Sequence, residues 1–382
     1  MSSTFVVLVM FASVLVSALT AWLLLRTSDW HMRWTGDAPD GGPQKLHEVE
    51  TTRIGGLAVA AGLLAGLGLL YVAASPALRG ELVQLHTGWL IAALIPLLVL
   101  GVTEDITRRV AVRVRLVFGL VVAGVAYYMA GVQVARLDLP LVDNLMLSFP
   151  LLSFGFTLVA VCGLVHAMNI VDGLNGLLAG ISLVALSCVS FVAGQHGETA
   201  LMLIGLITIA ATLGFGVFNF PRARIFCGDG GAYLLGYMLA TLVILLVFRR
   251  PEISPWFAMA VIIHPVTETL YSAFRRWRDG LSPANPDAKH LHSLWAAHLR
   301  ARESQTGNPV WLGSNAGAAL RCAALAGVPC VLAAACATQT TVLQALCLVY
   351  VVAYLFATRL LASNDEAVVP LGTHRQPKST PR

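Results

Sequence analysis

Charged residues are scarce in this chain of 382 residues: Asp, Glu, Lys and Arg make up 12% of it, about half of the roughly one quarter that soluble domains carry. A soluble globule of this length needs more charge on its surface, so that class is excluded. Hydrophobic residues make up 57% of the chain, which excludes a disordered protein. Together with a mean hydropathy of +0.76, these values indicate an integral membrane protein.

The chain also lacks cysteine pairs at CxxC spacing. Its seven cysteines are scattered, and six lie in apolar runs, which favours small hydrophobic side chains over disulfides or zinc ligands. No basic residue precedes the first apolar run, Thr4 to Leu25, and this run is too long for the core of a signal peptide. We interpret it as a membrane helix.

Apolar runs near the length of a membrane span recur along the chain, since a helix needs about 20 apolar residues to cross the hydrocarbon core. The eleven runs are 4–25, 54–75, 88–103, 116–131, 149–168, 174–194, 199–218, 231–248, 256–273, 315–336 and 341–361. They predict an all-α integral membrane protein with about eleven transmembrane helices in one domain, 1–361. The polar, proline-containing tail, 362–382, is expected to be disordered and cytoplasmic.

The distribution of lysine and arginine predicts the orientation. With the N-terminus outside, 20 of the 25 basic residues fall in cytoplasmic segments and four in outside loops, when Arg359 is counted with the tail. This bias follows the positive-inside rule. Arg249 and Arg250 are exceptions on the outside. The formal net charge of +5 is therefore interpreted as topogenic, and not as a sign of nucleic-acid binding.

Carboxylates collect at the predicted cytoplasmic helix ends. In the first cluster, an apolar run meets the adjacent pair Glu104 and Asp105, and four arginines follow, Arg115 among them. A cation such as Mg²⁺ would relieve the repulsion within the pair, and internal salt bridges to the arginines are the alternative. Four clusters at one face favour one shared cytosolic site, with helix capping as the alternative role of these acids.

Three more segments complete this polar face. The break between two spans, Asn169 to Gly176, is polar and rich in glycine; it is interpreted as part of a site or, alternatively, as a tight helical hairpin. Asp229 lies among glycines before a helix. The glycines would let the backbone approach a ligand, and the helix start would offer free N–H groups to a phosphate or a metal-bound anion; the alternative is that Asp229 only caps the helix. In the loop 275–292, arginines would clamp phosphates or contact lipid. His290 and His292 would point the same way if their segment is extended.

Five signatures occur in order: Gln44-Lys45-Leu46-His47 with Thr52-Arg53-Ile54-Gly55-Gly56, Glu104-Asp105, Asn169 to Gly176, Asn219 to Gly231, and His290-Leu291-His292. On these residues the chain resembles the polyprenyl-phosphate N-acetylhexosamine-1-phosphate transferase superfamily, also called glycosyltransferase family 4. The resemblance implies an eleven-span fold whose cytosolic loops bind a UDP-sugar and Mg²⁺, with Mn²⁺ as the alternative ion. It also implies transfer of a sugar-1-phosphate, such as GlcNAc-1-phosphate, to undecaprenyl phosphate in the bacterial inner membrane, with release of UMP.

The resemblance implies roles for single residues as well. The acidic pair of the family maps onto Glu104 and Asp105, one of which would deprotonate or position the lipid phosphate. The metal-binding aspartate maps onto Asp229, with Asp105 as a second candidate ligand. The four residues to which a catalytic role is transferred are Glu104, Asp105, Asp172 and Asp229. The expected substrate-binding residues are Lys45, Asn169, Asn175, Asn219 and Phe226 in the nucleotide pocket, and His290 and His292 at the diphosphate.

Three positions depart from the family pattern. Glu104 stands where aspartate is usual, so its carboxylate reaches one methylene further. Asn175 stands where many members have a second aspartate, and it keeps hydrogen bonding but not the charge. Ser293 stands where a further histidine is common.

Other functions stay open at this point. A phospho-MurNAc-pentapeptide-type transferase is the nearest alternative, and a non-catalytic polyprenyl-phosphate transporter is an alternative of another class. A secondary transporter would place acids near the midplane and would carry internal repeats, neither of which the sequence shows. The sequence does not indicate which sugar is transferred, which glycan pathway is served (O-antigen, cell wall or another) or how long the lipid is. It also does not indicate the oligomeric state, for which a homodimer is one possibility.

Overall fold

The computed structural model describes residues 3–37, 50–282 and 289–368, and this part of the chain is almost entirely helical. Two short strands, β1 (Gly36–Asp37) and β2 (Thr51–Thr52), pair antiparallel. The helices are α1 (Ser3–Arg26), α2 (Ser28–Thr35), α3 (Gly56–Ala73), α4 (Pro76–Gln84), α5 (Thr87–Thr107), α6 (Val112–Ala130), α7 (Pro140–Ser148), α8 (Pro150–Val171), α9 (Leu177–Gln195), α10 (Thr199–Asn219), α11 (Gly228–Arg249), α12 (Pro255–Val261), α13 (Ile263–Arg278), α14 (Leu291–Thr306), α15 (Ser314–Ala335) and α16 (Thr340–Val368).

Ten helices of the described ranges are long and apolar enough to cross a membrane, and the number is eleven when the bent pair α12 and α13 is counted as one span. Apolar side chains cover the outside of the bundle, as on α1, where Val7, Leu8 and Phe11 are each more than half exposed. Such a surface is stable in lipid and not in water. The predicted all-α membrane protein with about eleven spans is confirmed.

The ninth predicted span, 256–273, is not one straight helix. α12 and α13 meet at Ile262 with a bend of 71°. Pro265 is the cause we assign, because proline has no N–H to offer the carbonyl of Val261 four residues earlier, and its ring clashes with that carbonyl. Cys330 Sγ lies 3.3 Å from the oxygen that the bend leaves free.

Helix α11 forms the centre of the bundle. Each residue from Gly228 to Leu246 is buried, and α11 packs against α3, α5, α8, α9 and α12. A helix that is apolar on all sides is stable only when other helices surround it. α11 begins at Gly228, and its first turn is polar. This polar start lies at the end of the bundle where α3 and α6 begin and where α5 and α8 end.

The opposite face of the bundle holds the two arginines that departed from the charge bias. Arg249 and Arg250 each donate a hydrogen bond from Nε to Glu198, at 2.7 and 2.8 Å, and Glu198 is buried. A carboxylate that pairs with both cations offsets half of the positive charge that these arginines place on this face.

Several predicted loops contain short helices, namely α2, α4, α7 and α14. Their length and polarity hide them from a search for membrane spans. The seven cysteines are free thiols and six of them are buried, which confirms their interpretation as small hydrophobic residues. Helix α16 continues to Val368, and 369–382 lie outside the described residues, so the disordered tail stays a prediction.

Candidate active site

Asp229, in the first turn of α11, is the centre of a polar cluster at one end of the bundle. Its Oδ1 accepts hydrogen bonds from Asn169 Nδ2 at 3.0 Å and from Arg53 Nη2 at 3.3 Å. Its Oδ2 accepts from Arg115 Nη1 at 3.0 Å and from the Tyr233 hydroxyl at 3.3 Å. The four hydrogen-bond donors to this one carboxylate thus come from four parts of the chain: the segment before α3, and the helices α6, α8 and α11.

Asp105, at the end of α5, caps helix α11. Its Oδ1 accepts from the backbone N–H of Asp229 at 2.9 Å, and its Oδ2 accepts from that of Gly230 at 3.1 Å. Asp105 is fully buried, and Arg53 Nη2 lies 3.7 Å from its Oδ1. The free N–H groups of a helix start are usually capped from the preceding residue; here another helix supplies the cap.

The glycines around Asp229 serve close packing of backbones. A Cβ at Gly101 of α5 would come within 2.4 Å of the Gly230 Cα, and one at Gly56 would come within 2.2 Å of the Gly231 nitrogen. Gly228 has a φ of +71°, and a Cβ there would meet the Arg53 carbonyl. The start of α11 was expected to offer free N–H groups to a ligand; for the N–H groups of Asp229 and Gly230 this is wrong, because Asp105 accepts hydrogen bonds from both.

Glu104 lies beside this cluster and faces the basic loop. Its Oε2 accepts from the backbone N–H of Val110 at 2.8 Å, and its Oε1 lies 3.9 Å from Arg115 Nη1. Arg115 therefore lies between Glu104 and Asp229. For the acidic pair, salt bridges to the arginines were the alternative to a bound cation, and such salt bridges to Arg115 and Arg53 are present.

The turn after α8 is tied to the segment before α11 by two asparagines. Asn175 Nδ2 donates to the Pro221 carbonyl at 2.9 Å. Asn219 is buried, accepts from the Gly176 N–H at 2.8 Å and donates to the Ile225 carbonyl at 2.8 Å. In this structure both amides hold loops together, and their predicted contact with a nucleotide stays a prediction.

Asp172, in that turn, is the ionisable group in the cluster with the clearest perturbation outside the membrane spans. Its burial and the neighbouring Asp229 carboxylate raise the pKa of Asp172 to about 7, against the opposing charge of Arg53. Burial lowers the pKa of Arg53, but the carboxylates of Asp105 and Asp229 more than offset this effect, and its pKa is raised. The cluster is thus a site where negative charge is concentrated around a cation.

Phe226 enters the site through its backbone. Its N–H donates to the Thr52 carbonyl at 2.8 Å, and its carbonyl accepts from the Gly55 N–H at 2.9 Å. This pairing fixes Arg53, which lies between Thr52 and Gly55, against the start of α11. Lys45, the remaining predicted nucleotide contact, lies outside the described residues.

The two histidines lie side by side as predicted, although their segment is not extended. Helix α14 starts at Leu291, so His290 is its N-cap residue and His292 lies in its first turn. The rings stack with centroids 5.3 Å apart and an angle of 6°. A Cβ at Gly173 would come within 2.4 Å of His292 Nε2, so the histidine pair lies directly against the turn that contains Asp172.

Four residues of this region had no role assigned from the sequence: Arg53, which stands in the first signature, Arg115, Tyr233, and Glu268, which is one of the acids at the predicted cytoplasmic helix ends. The arginines were read as topogenic, and only the salt-bridge alternative pointed to Arg115. Tyr233 lies one turn after Asp229, a spacing that places both on one helix face. Glu268 is buried in α13, where an unpaired acid is costly.

Asp105 and Asp229 are the two neighbouring carboxylates that the sequence predicted as metal ligands. In the described parts of the chain, no group of three or more His, Cys, Asp and Glu side chains could by itself hold a metal ion. Two carboxylates, Asp105 and Asp229, share the guanidinium of Arg53. Mg²⁺ is commonly held by one or two carboxylates together with substrate phosphates, so these two residues are the candidates for such an ion, and its binding stays a prediction.

Comparison with known proteins decides the family. The model of glycosyl transferase family 4 matches residues 86–247. A decaprenyl-phosphate N-acetylglucosaminephosphotransferase of Mycolicibacterium smegmatis is 30% identical over 286 residues, which cover 67% of this chain and 68% of that protein. The chain belongs to glycosyl transferase family 4.

Two other relatives support the assignment to glycosyl transferase family 4. A probable undecaprenyl-phosphate N-acetylglucosaminyl 1-phosphate transferase of Bacillus subtilis is 28% identical over 251 residues, 65% of this chain and 66% of that protein. An undecaprenyl-phosphate alpha-N-acetylglucosaminyl 1-phosphate transferase of Escherichia coli K12 is 33% identical over 148 residues, 37% of this chain and 40% of that protein. The matches thus span about two thirds of the first two relatives named here and less than half of the third.

The region that matches glycosyl transferase family 4 contains most of the cluster around Asp229. Asp105, Arg115, Asn169 and Asp172 all lie between residues 86 and 247. Arg53, His290 and Glu268 lie outside the matched range, although the fold brings them to the same end of the bundle.

Proposed function

We propose that this protein transfers N-acetylglucosamine-1-phosphate, or a closely related N-acetylhexosamine-1-phosphate, from a UDP-sugar to a polyprenyl phosphate and releases UMP. The observation that carries the proposal is the convergence of Arg53, Arg115 and Asn169 on the Asp229 carboxylate at one end of the bundle. The three relatives are named as transferases of this kind to undecaprenyl or decaprenyl phosphate, which supports the same acceptor class here.

Charge is the main physical problem of this reaction. An oxygen of the lipid phosphate forms a bond to the β-phosphorus of the donor, and the bond from that phosphorus to the oxygen that leaves with UMP breaks. Both reactants are anions, and their repulsion is strong next to a medium of low dielectric constant. Phosphoryl transfer mainly requires positioning and stabilisation of negative charge, so cations beside the reacting groups are the principal requirement.

The partly exposed arginines meet this requirement. About 27% of the Arg53 side chain and 20% of that of Arg115 are exposed, so both lie at the boundary between the buried cluster and solvent. Asp229, which itself accepts a hydrogen bond from Asn169, holds both guanidinium groups in fixed positions before substrate arrives. A preorganised charge costs no reorganisation during the reaction, and holding two reactants together can lower the barrier by roughly 7–11 kcal/mol.

Asp229, with Asp105 as second carboxylate, is the proposed place for Mg²⁺. Bound there, the ion would supply positive charge to the phosphate oxygens of the donor. Asp105 would mainly hold Asp229 in place through the start of α11, and Asp172 would act at the adjoining turn. Glu104 would orient Arg115 or the lipid phosphate. A strong protein base is not required, since a phosphate monoester is largely ionised at pH 7.

The site is proposed to face the cytoplasm of a bacterial inner membrane. The ends of α5, α8 and α10 and the starts of α3, α6 and α11 all lie at the end of the bundle that holds Asp229. By the lysine and arginine bias this is the cytoplasmic end. The polyprenyl chain would remain in the inner leaflet while its phosphate reaches the cluster.

The test is release of UMP by the purified protein in detergent. UDP-GlcNAc is supplied with and without undecaprenyl phosphate, in Mg²⁺, in Mn²⁺ and in EDTA. The proposal expects release only when lipid and divalent cation are both present, and a lipid product that carries the sugar and two phosphates. UDP-MurNAc-pentapeptide and UDP-GalNAc, as alternative donors, measure the sugar preference. No lipid-dependent UMP from any of the three donors would refute the proposal.

A further inference from the structure

Another buried carboxylate, that of Glu268 in α13, lies behind the histidine pair. Only 1% of Glu268 is exposed. Its Oε1 accepts hydrogen bonds from His290 Nδ1 at 2.9 Å and from the Leu291 backbone N–H at 3.1 Å. Leu291 is the first residue of α14. One oxygen therefore holds an imidazole and also satisfies a free N–H group at a helix start, where negative charge is favourable.

The contact determines which nitrogen of His290 carries the hydrogen. An ionised carboxylate only accepts hydrogen bonds, so Nδ1 of His290 must be the donor. Nε2 is then the nitrogen that remains for a ligand, as an acceptor when the ring is neutral and as a donor when it is protonated. A carboxylate behind an imidazole also stabilises the protonated ring.

The same arrangement reaches the cluster around Asp229. His290 stacks on His292, and His292, 3% exposed, lies against Gly173. Gly173 follows Asp172 in the turn after α8. The order of contacts is Glu268, His290, His292 and the turn, and the first three side chains are buried.

Stability alone explains Glu268 poorly. Burying an acid within a helix bundle costs free energy unless partners compensate fully, and an apolar residue of similar size is often at least as stable. His264, one turn earlier on α13, is engaged elsewhere, with its Nδ1 2.6 Å from the Tyr350 hydroxyl. The hydrogen bonds that Glu268 accepts from His290 and Leu291 both connect it to the start of α14.

We propose that Glu268 is a positioning residue for the transfer reaction: it fixes the tautomer and orientation of His290 and, through the stacked His292, the placement of the start of α14 against the turn at Asp172. The kinetic consequence rests on the proposed transferase function, whereas the effect on the His290 ring does not.

The kinetic test replaces Glu268 with glutamine in the full-length protein. Loss of a group that orients another functional side chain typically costs 10–100-fold, and we expect a fall of about that size in kcat, with a smaller change in KM for the UDP-sugar. The matched control is Glu252→Gln, because Glu252 contacts His196 Nδ1 at 3.1 Å on the opposite face; its kcat should equal that of the wild type. An unchanged kcat in Glu268→Gln would overturn the proposal.

Glu268→Asp is the second variant, which keeps the charge but shortens the side chain by one methylene. It should retain more activity than Glu268→Gln, and it serves if the glutamine variant does not fold. The spectroscopic test measures side-chain ¹⁵N signals of protein labelled with ¹⁵N-histidine, with His290→Gln to assign the ring. In the wild type His290 should show the Nδ1–H form, and Glu268→Gln should shift its signals.

Identical His290 signals in wild type and Glu268→Gln would overturn the positioning role whatever the kinetics. A wild-type protein without transferase activity would refute the proposed function, whereas the shift in the His290 signals would still support the contact itself. The two failures are therefore distinguishable.

Discussion

Replacing Asp105 with alanine should destabilise the protein more than replacing any exposed acid. The change removes both acceptors from the N–H groups of Asp229 and Gly230, which are buried. A buried donor without a partner costs about 1–3 kcal/mol, so two of them lower the free energy of unfolding by about 2–6 kcal/mol. Arg53 also loses one of its two carboxylate neighbours.

The matched control is Asp143→Ala at the opposite face. Asp143 also accepts two backbone hydrogen bonds, from Leu137 at 2.7 Å and from Leu139 at 3.1 Å, but the second of these contacts is exposed and water can replace the carboxylate. The free energy of unfolding should therefore fall by an amount near the low end of the range of about 0.5–2 kcal/mol that the loss of a helix cap costs. Thermal unfolding in detergent with EDTA, followed by tryptophan fluorescence, compares the two. Equal losses would refute the assignment of Asp105 as a buried cap.

Two further predictions concern charge and packing in the same cluster. Because the pKa of Asp172 is raised to about 7, well above its ordinary value of about 3.9, the folded protein holds a proton that the unfolded chain has lost, and stability falls as pH rises through this window. In metal-free protein, Asp172→Asn should remove this fall in stability with pH. Parallel curves of stability against pH for the wild type and Asp172→Asn would contradict the prediction. Gly101→Ala places a Cβ 2.4 Å from the Gly230 Cα and should abolish the monodisperse peak in size-exclusion chromatography. Gly155→Ala, with nothing within 4 Å, should keep it; an intact Gly101→Ala peak would show that α5 and α11 are less closely packed.

The spans were predictable because their signal is the length of an apolar run, which depends on the bilayer and not on tertiary contacts. Even the polar breaks fell at the correct helix ends. The bend at Ile262 was missed, since the apolar run continues through it and only Pro265 marks it. The short helix α14 was also missed, and with it the N-cap position of His290.

The site was predictable as a set of acids and less so as a set of contacts. Asp229 was assigned correctly to a polar cluster, but the arginines that surround it come from segments where positive charge has a topological explanation. Asp105 was expected beside a metal, and the structure shows in addition that it caps α11. A contact of this kind joins residues more than a hundred positions apart, so no local pattern reports it.

Family membership and geometry support the same central claim, that sugar-phosphate transfer takes place at Asp229. The most direct measurement is lipid-dependent UMP release by Asp229→Asn beside wild type and Asp279→Asn, a change at an exposed acid outside the cluster. We predict a fall of about 10²–10³-fold for Asp229→Asn, the size found when one preorganised charge-stabilising group is lost. Its fold should persist, because Arg53 and Arg115 are partly exposed to water, and Asp279→Asn should keep the wild-type rate. A folded Asp229→Asn variant that turns over at the wild-type rate would contradict the account.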